Sequence, residues 1–282
     1  MKKLIVAGAA LLSFAGTAIA ADIPARMPAK APAAVVGFDW TGLYIGGNVG
    51  YSWGRSATDV QYFNAVTGLA IVPPAGSITS ANINLDGWIA GGQLGYNWQS
   101  SSLVLGVEGD FQWSGQKGDG NFLCATTSAV IPGACLPGGL TTVPAGATGT
   151  TLSISQKLEW FATLRGRAGF TPTPDTLVYV TGGFAYGRIV TDLLLSSFNA
   201  NGLAVTATGN STNSNPGWTA GAGFEGRISE NWTGKIEYLY IDLGTVNGTI
   251  SNPAASIGAN FTSRITDNIV RIGLNYRFTG MH

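Results

Sequence analysis

Charge is scarce in this chain of 282 residues: 15 Lys and Arg and 15 Asp and Glu amount to 11%, where soluble domains carry about a quarter. A net charge of zero leaves no basic footprint for nucleic acid. Histidine is nearly absent. The single one, His282, ends the chain, so a Ser-His or Asp-His pair has no base, and no catalytic residue is expected. Cysteine is limited to Cys124 and Cys135, too few ligands for a metal site in their segment, and no cofactor is expected. Past the N-terminus no apolar run reaches the roughly 18 residues of a membrane helix. A soluble protein this poor in charge would be badly solvated. A transmembrane barrel, which alternates apolar with small polar residues, has just this mild composition.

What is present begins with an export signal. Residues 1–20 carry Lys2 and Lys3, an apolar stretch and Ala18-Ile19-Ala20, the pattern of a secretory signal peptide with a small-x-small cleavage site. The Ala/Pro-rich segment 21–39 reads as a periplasmic linker. In an exported chain, Cys124 and Cys135 are expected to form a disulfide that closes a small loop.

From residue 40 the sequence shows the two-residue period of strands with unlike faces. In Val270–Phe278, Val270, Ile272, Leu274, Tyr276 and Phe278 share one parity and Arg271, Gly273, Asn275 and Arg277 the other. On a helix the five apolar residues would scatter around the circumference. Eight such stretches are predicted: Thr41–Trp53, Leu85–Trp98, Leu103–Trp113, Ser153–Phe170, Thr176–Ile189, Gly217–Ile228, Trp232–Ile241 and Asn268–Phe278. The fifth cannot be phased, because both its faces carry apolar residues. Short connections (99–102, 171–175, 229–231) alternate with long ones (54–84, 114–152, 190–216, 242–267). That is the layout of an all-β, eight-stranded antiparallel up-and-down transmembrane barrel with short periplasmic turns and long extracellular loops. The barrel is expected to span 40–278, followed by a tail at 279–282.

Tryptophan decides between lipid outside and a sandwich core inside. All eight lie near predicted strand ends: Trp53, Trp88, Trp113, Trp160 and Trp218 toward the long loops, and Trp40, Trp98 and Trp232 toward the short turns. Two aromatic girdles at membrane interfaces account for this; a sandwich would hold its aromatics mid-strand. The polar parity then points inward. It carries Glu108, Asp110, Glu159, Glu225 and Glu237 against Arg165, Arg167, Arg227, Lys235, Arg271 and Arg277. An eight-stranded barrel is barely wide enough for its own side chains, so these groups are expected to pair and plug the lumen. Gly221, Gly223 and Gly226 spell G-x-G-x-x-G, but inside a strand this is no dinucleotide fingerprint. Inward glycines there make room for bulky neighbours.

The segments "WTGLYIGGNVGYSWG" at Trp40, "GWIAGGQLGYNWQ" at Gly87, "LVLGVEGDFQWS" at Leu103, "LEWFATLRGRAGF" at Leu158, "VTGGFAYG" at Val180, "KIEYLYIDLG" at Lys235 and "NIVRIGLNYRF" at Asn268 together resemble the alphaproteobacterial outer-membrane immunogenic proteins, porin-like eight-stranded surface antigens. The resemblance covers nearly every strand and none of the loops. It implies an abundant structural protein of the outer membrane that supports envelope integrity, with no catalytic residue to carry over. It also implies that Val270, Ile272, Leu274, Tyr276 and Phe278 form the signal read by the barrel assembly machinery. That family ends on a terminal Phe, whereas this chain continues through Thr279–His282. The expected partners are outer-membrane lipid and lipopolysaccharide, and a host or phage partner at the loops; nucleic acid is not among them. The alternatives to a plugged structural barrel are a narrow ion-conducting channel gated by shifting ion pairs, and an adhesin or receptor acting through its loops.

Overall fold

A computed structural model describes residues 38–74, 76–125, 149–198, 201 and 203–278. Eight strands run through them: β1 (Gly42–Asn64), β2 (Ser80–Ser100), β3 (Leu103–Ala125), β4 (Gly149–Thr173), β5 (Thr176–Phe198), β6 (Ala204–Arg227), β7 (Trp232–Asn252) and β8 (Ile257–Arg277). Each pairs antiparallel with its sequence neighbours, and β1 pairs with β8 from Tyr44↔Arg277 to Asn64↔Ile257, so the barrel is closed. The expected fold class is therefore the observed one.

The strands are longer than the sequence pattern indicates, at 21 to 25 residues. A membrane needs only about 9–11 residues of tilted strand, so half of each strand stands beyond the lipid. This corrects the predicted long connections: 54–64, 80–84, 114–125, 149–152, 190–198, 204–216, 242–252 and 257–267 are strand, and β5–β6 and β7–β8 are joined by 199–203 and 253–256.

The side-chain pattern explains the difference, because it inverts along each strand. In the half next to the short turns, outward positions are apolar and exposed, among them Ile45, Val49, Leu94, Leu105, Leu164, Val180, Phe224, Ile236, Ile272 and Leu274. In the other half, inward positions are apolar and buried, including Val60, Ile83, Leu85, Phe122, Leu152, Ile154, Leu193, Leu195, Val246, Ile250, Phe261 and Ile265. Most outward positions there are polar: Arg55, Asp59, Gln61, Asn82, Lys117, Asp119, Ser155 and Asp192 are exposed, with Leu194 an apolar exception. One half is built against lipid. The other is built like a water-soluble barrel, with the hydrophobic effect acting inward.

The unphased β5 follows from this. Its inward residues Leu177, Tyr179, Ala185 and Ile189 are buried, while Val180, Phe184 and Tyr186 face out. Both sides are apolar because the inner side crosses from an aromatic plug at one mouth into the apolar core.

Candidate functional site

The girdles come first, since they set the depth of everything else. Trp53, Trp88, Trp113 and Trp218 on the long-loop side are exposed, as are Trp98 and Trp232 on the short-turn side, and Trp160 is half-buried. Trp113, Phe111, Trp160 and Tyr186, in that order, form one run across β3, β4 and β5, with successive ring centroids 5.0, 5.5 and 6.0 Å apart. Trp40 is a correction. It precedes β1, is 0% exposed, and packs inside the short-turn mouth with Val104, Leu177 and Tyr179. Its Nε1 donates to the Pro174 carbonyl at 3.2 Å, so the indole plugs the mouth rather than anchoring in lipid. Phe38, from the segment expected to be linker, stacks edge-on against it at 5.0 Å.

Above this plug, within the lipid-facing half, lies the charged lumen. The inward parity of β3, β4, β6, β7 and β8 brings four carboxylates and four cations together. Arg165 Nη1 donates to Glu237 at 3.1 Å, its Nη2 donates to Asp110 at 2.9 Å and to Glu108, and its Nε donates to Thr163 at 3.0 Å. Arg271 Nε donates to Glu237 at 2.7 Å, and its Nη2 to Asp110 at 3.2 Å. Lys235 Nζ donates to both Glu108 oxygens at 2.9 Å. Arg167 Nη2 donates to Glu225 at 2.7 Å. These side chains are 0–3% exposed. Burying an ion costs several kcal/mol unless its partner and hydrogen bonds compensate; the cluster answers this with equal numbers of each sign, every member within reach of an opposite charge, while Arg167 Nε and Arg271 Nη1 make no hydrogen bond among the described residues.

Sequence reasoning missed the neutral groups that complete this cluster. Tyr44 donates to Glu108 at 2.7 Å and accepts from Arg167 at 2.9 Å. Tyr179 donates to Glu237 at 3.0 Å, and the Arg167 guanidinium lies 4.0 Å from its ring centroid. Thr233 and Asn275 donate to Glu225 at 2.5 and 2.9 Å. A phenol on the polar parity, as at Tyr44 between Leu43 and Ile45, was the available signal. Glycines make the room: a Cβ on Gly223 would strike the Tyr179 phenol and one on Gly95 the Tyr44 phenol, while Gly221 faces Leu239.

Three predicted members of the cluster lie elsewhere. Glu159 sits at a β-bulge where Leu158 pairs with Ile189 and Trp160 with Arg188. The extra residue reverses the parity of β4, as bulges do. Glu159 therefore faces out, 3.3 Å from Arg188 and 4.0 Å from Lys157, while Leu158 turns into the core. Arg227 is at the short-turn rim, paired with Asp175 at 2.7 Å and partly exposed. Arg277 does point inward, but at the mouth: its Nη2 donates to the Thr41 carbonyl at 3.2 Å and its guanidinium lies 4.1 Å from the Phe38 ring centroid. It makes no salt bridge among the described residues.

Where the charged lumen meets the apolar core, Asp267 is buried, accepting from Ser52 and, at 2.8 Å, from Gln116. It had fallen in a predicted loop. Of the final-strand residues, Val270, Ile272 and Leu274 face outward and are exposed. Cys124 is buried; its expected partner Cys135 lies outside the described residues, as do 1–37 and 279–282.

Residues 7–278 match the family described as an outer membrane protein beta-barrel domain. The chain is 36% identical to the 31 kDa outer-membrane immunogenic protein of Brucella melitensis, covering 99% of this chain and 100% of that one. It is 29% identical to the 25 kDa outer-membrane immunogenic protein of Brucella abortus, over 86% of this chain and 85% of the other. Among solved structures, the outer membrane protein OprG of Pseudomonas aeruginosa is 14% identical with a TM-score of 0.48, over 86% of this chain and 99% of that one.

Proposed function

The chain belongs to the outer membrane protein beta-barrel family and resides in the outer membrane, and from that premise we propose that it is a structural barrel and surface antigen whose lumen is plugged. One observation carries this reading: two successive fillings occupy the interior. A balanced cluster of Glu108, Asp110, Glu225 and Glu237 with Arg165, Arg167, Lys235 and Arg271 fills the lipid-facing half, and an apolar core fills the half beyond it. A gate made by shifting ion pairs would still lead into that apolar core, where an ion loses its solvation. Catalysis has no place in this reading, because the lumen carboxylates are engaged by arginine and lysine and the only histidine ends the chain. Purified protein in planar bilayers tests the plug. A quiet seal supports it, and discrete current steps would replace it with the narrow channel.

Contacts outside the lumen complete the proposal. The short-turn rim faces the periplasm and the polar half stands outside the cell, as in other barrels of the outer membrane. The lipid face, Ile45 through Leu274, meets outer-membrane lipid and lipopolysaccharide. Val270, Ile272, Leu274, Tyr276 and Phe278 present the final strand to the barrel assembly machinery. Deleting Thr279–His282 and measuring folded barrel in membranes tests whether the tail matters; a changed yield would show that it does. A host or phage partner would meet the connections beyond the polar half. Replacing residues 126–148, between β3 and β4, and losing binding would support that role.

A further inference from the structure

We propose that Lys117, Lys157 and Arg188 form a binding site, on the outer wall just above the aromatic girdle, for a phosphate group of the phosphorylated glycolipid in the outer leaflet. This deepens the lipid contact proposed above and rests on the same orientation.

The site is assembled by the β-bulge in β4. Without the extra residue at Glu159, Lys157 would share the inward parity; with it, Lys157 stands on the outer face directly opposite Lys117. Like charges at directly opposed cross-strand positions are destabilising, yet both lysines are exposed and placed together. Their surroundings leave positive charge over. The Glu159 carboxylate is shared between Arg188 at 3.3 Å and Lys157 at 4.0 Å. Lys117 makes no salt bridge among the described residues; its other cross-strand neighbour is Asp86. Counting Asp86 and Glu159 against the three cations leaves an excess of one positive charge, and without Asp86 two. A phosphate monoester brings about −1.5 to −2.

Depth supplies the second argument. The Phe111, Trp113, Trp160 and Tyr186 run lies immediately below, at the level where indole and phenol rings mark the boundary of hydrocarbon and headgroups. The cations therefore stand where lipid phosphates stand. One ladder row farther out, Asp119 and Asp192 flank Ser155. Those two carboxylates repel an anion placed higher, so attraction and repulsion together fix the phosphate at the lysine row.

The test uses the full barrel in nanodiscs and compares binding of bisphosphorylated lipid A with its dephosphorylated form, with folding of each variant checked by heat-shifted gel mobility. The wild type is expected to prefer the phosphorylated lipid by at least about tenfold. The K117Q/K157Q variant is expected to lose that preference, and K117R/K157R to keep it. Equal binding of the two lipids by the wild type, or an unchanged preference in K117Q/K157Q, would overturn the site. Displacement by millimolar inorganic phosphate would overturn its assignment to a lipid. Binding in nanodiscs does not depend on orientation in the cell, so its failure leaves the proposed topology standing. The topology is read separately, from antibody detection on intact cells of an epitope inserted at Asn201.

Discussion

Glu108→Gln isolates the electrostatics of the lumen, because the change keeps the shape of the side chain and removes its charge. Glu108 holds Arg165 and accepts both contacts from Lys235 at 2.9 Å. Arg165 retains Asp110 and Glu237, but Lys235 has no other salt-bridge partner among the described residues. The variant thus leaves one ammonium buried and unpaired. Breaking a buried pair this way costs about 3–5 kcal/mol, roughly a 150- to 5,000-fold shift in the folding equilibrium. Lys235→Met on the same background removes the orphaned charge, and replacing both members of a buried pair costs little. The double variant should therefore recover most of the loss. Urea titration of the refolded barrel, read by the fraction that resists a gel-mobility shift before boiling, measures all four corners of the cycle. A Glu108→Gln loss below about 0.5 kcal/mol, the size of a surface substitution, or simple additivity in the double variant, would refute the account by showing the lumen to be hydrated.

Three further outcomes are expected. Phe261→Ala, in the apolar core beyond the membrane, should cost about 3–5 kcal/mol in the same titration; a hollow outer half would give almost nothing. Gly223→Val should displace the Tyr179 phenol and cost about 1–3 kcal/mol through overpacking, and a neutral result would show that the tyrosine has space to spare. Thiol counting on denatured, unreduced protein should find no reactive cysteine, and reduction should lower stability by about 2–3 kcal/mol; two free thiols would dismiss the Cys124–Cys135 bridge.

The lipid-facing half was legible because a bilayer forces every outward residue to be apolar, so alternation in segments such as Leu103–Trp113 reports both strand and face. Beyond the girdle that constraint ends. Outward Asp119 and Asn121 alternate with inward Gly120 and Phe122, and a reading tuned to apolar-outward sees only polar, loop-like sequence. Glu159 was misplaced because a single bulged residue reverses parity while leaving composition untouched. Trp40 was misplaced for another reason: an indole near a strand end suits either a lipid interface or a plugged mouth, and only the ring of Val104, Leu177 and Tyr179 around it distinguishes the two. The cluster of Glu108, Asp110 and Arg165 was legible as inward charge. Its organisation around Tyr44 and Tyr179 depends on pairings across the lumen that periodicity does not encode.

The central claim is that side-chain polarity inverts at the outer girdle. Carbene footprinting from a probe dissolved in the bilayer, mapped by mass spectrometry, reads it directly. Modification is expected at Ile45, Val49, Ile272 and Leu274, with Arg271 and the outer face from Arg55 to Gln61 spared. Labelling of Arg271, or of Ala57 and Asp59 as strongly as Val49, would contradict it.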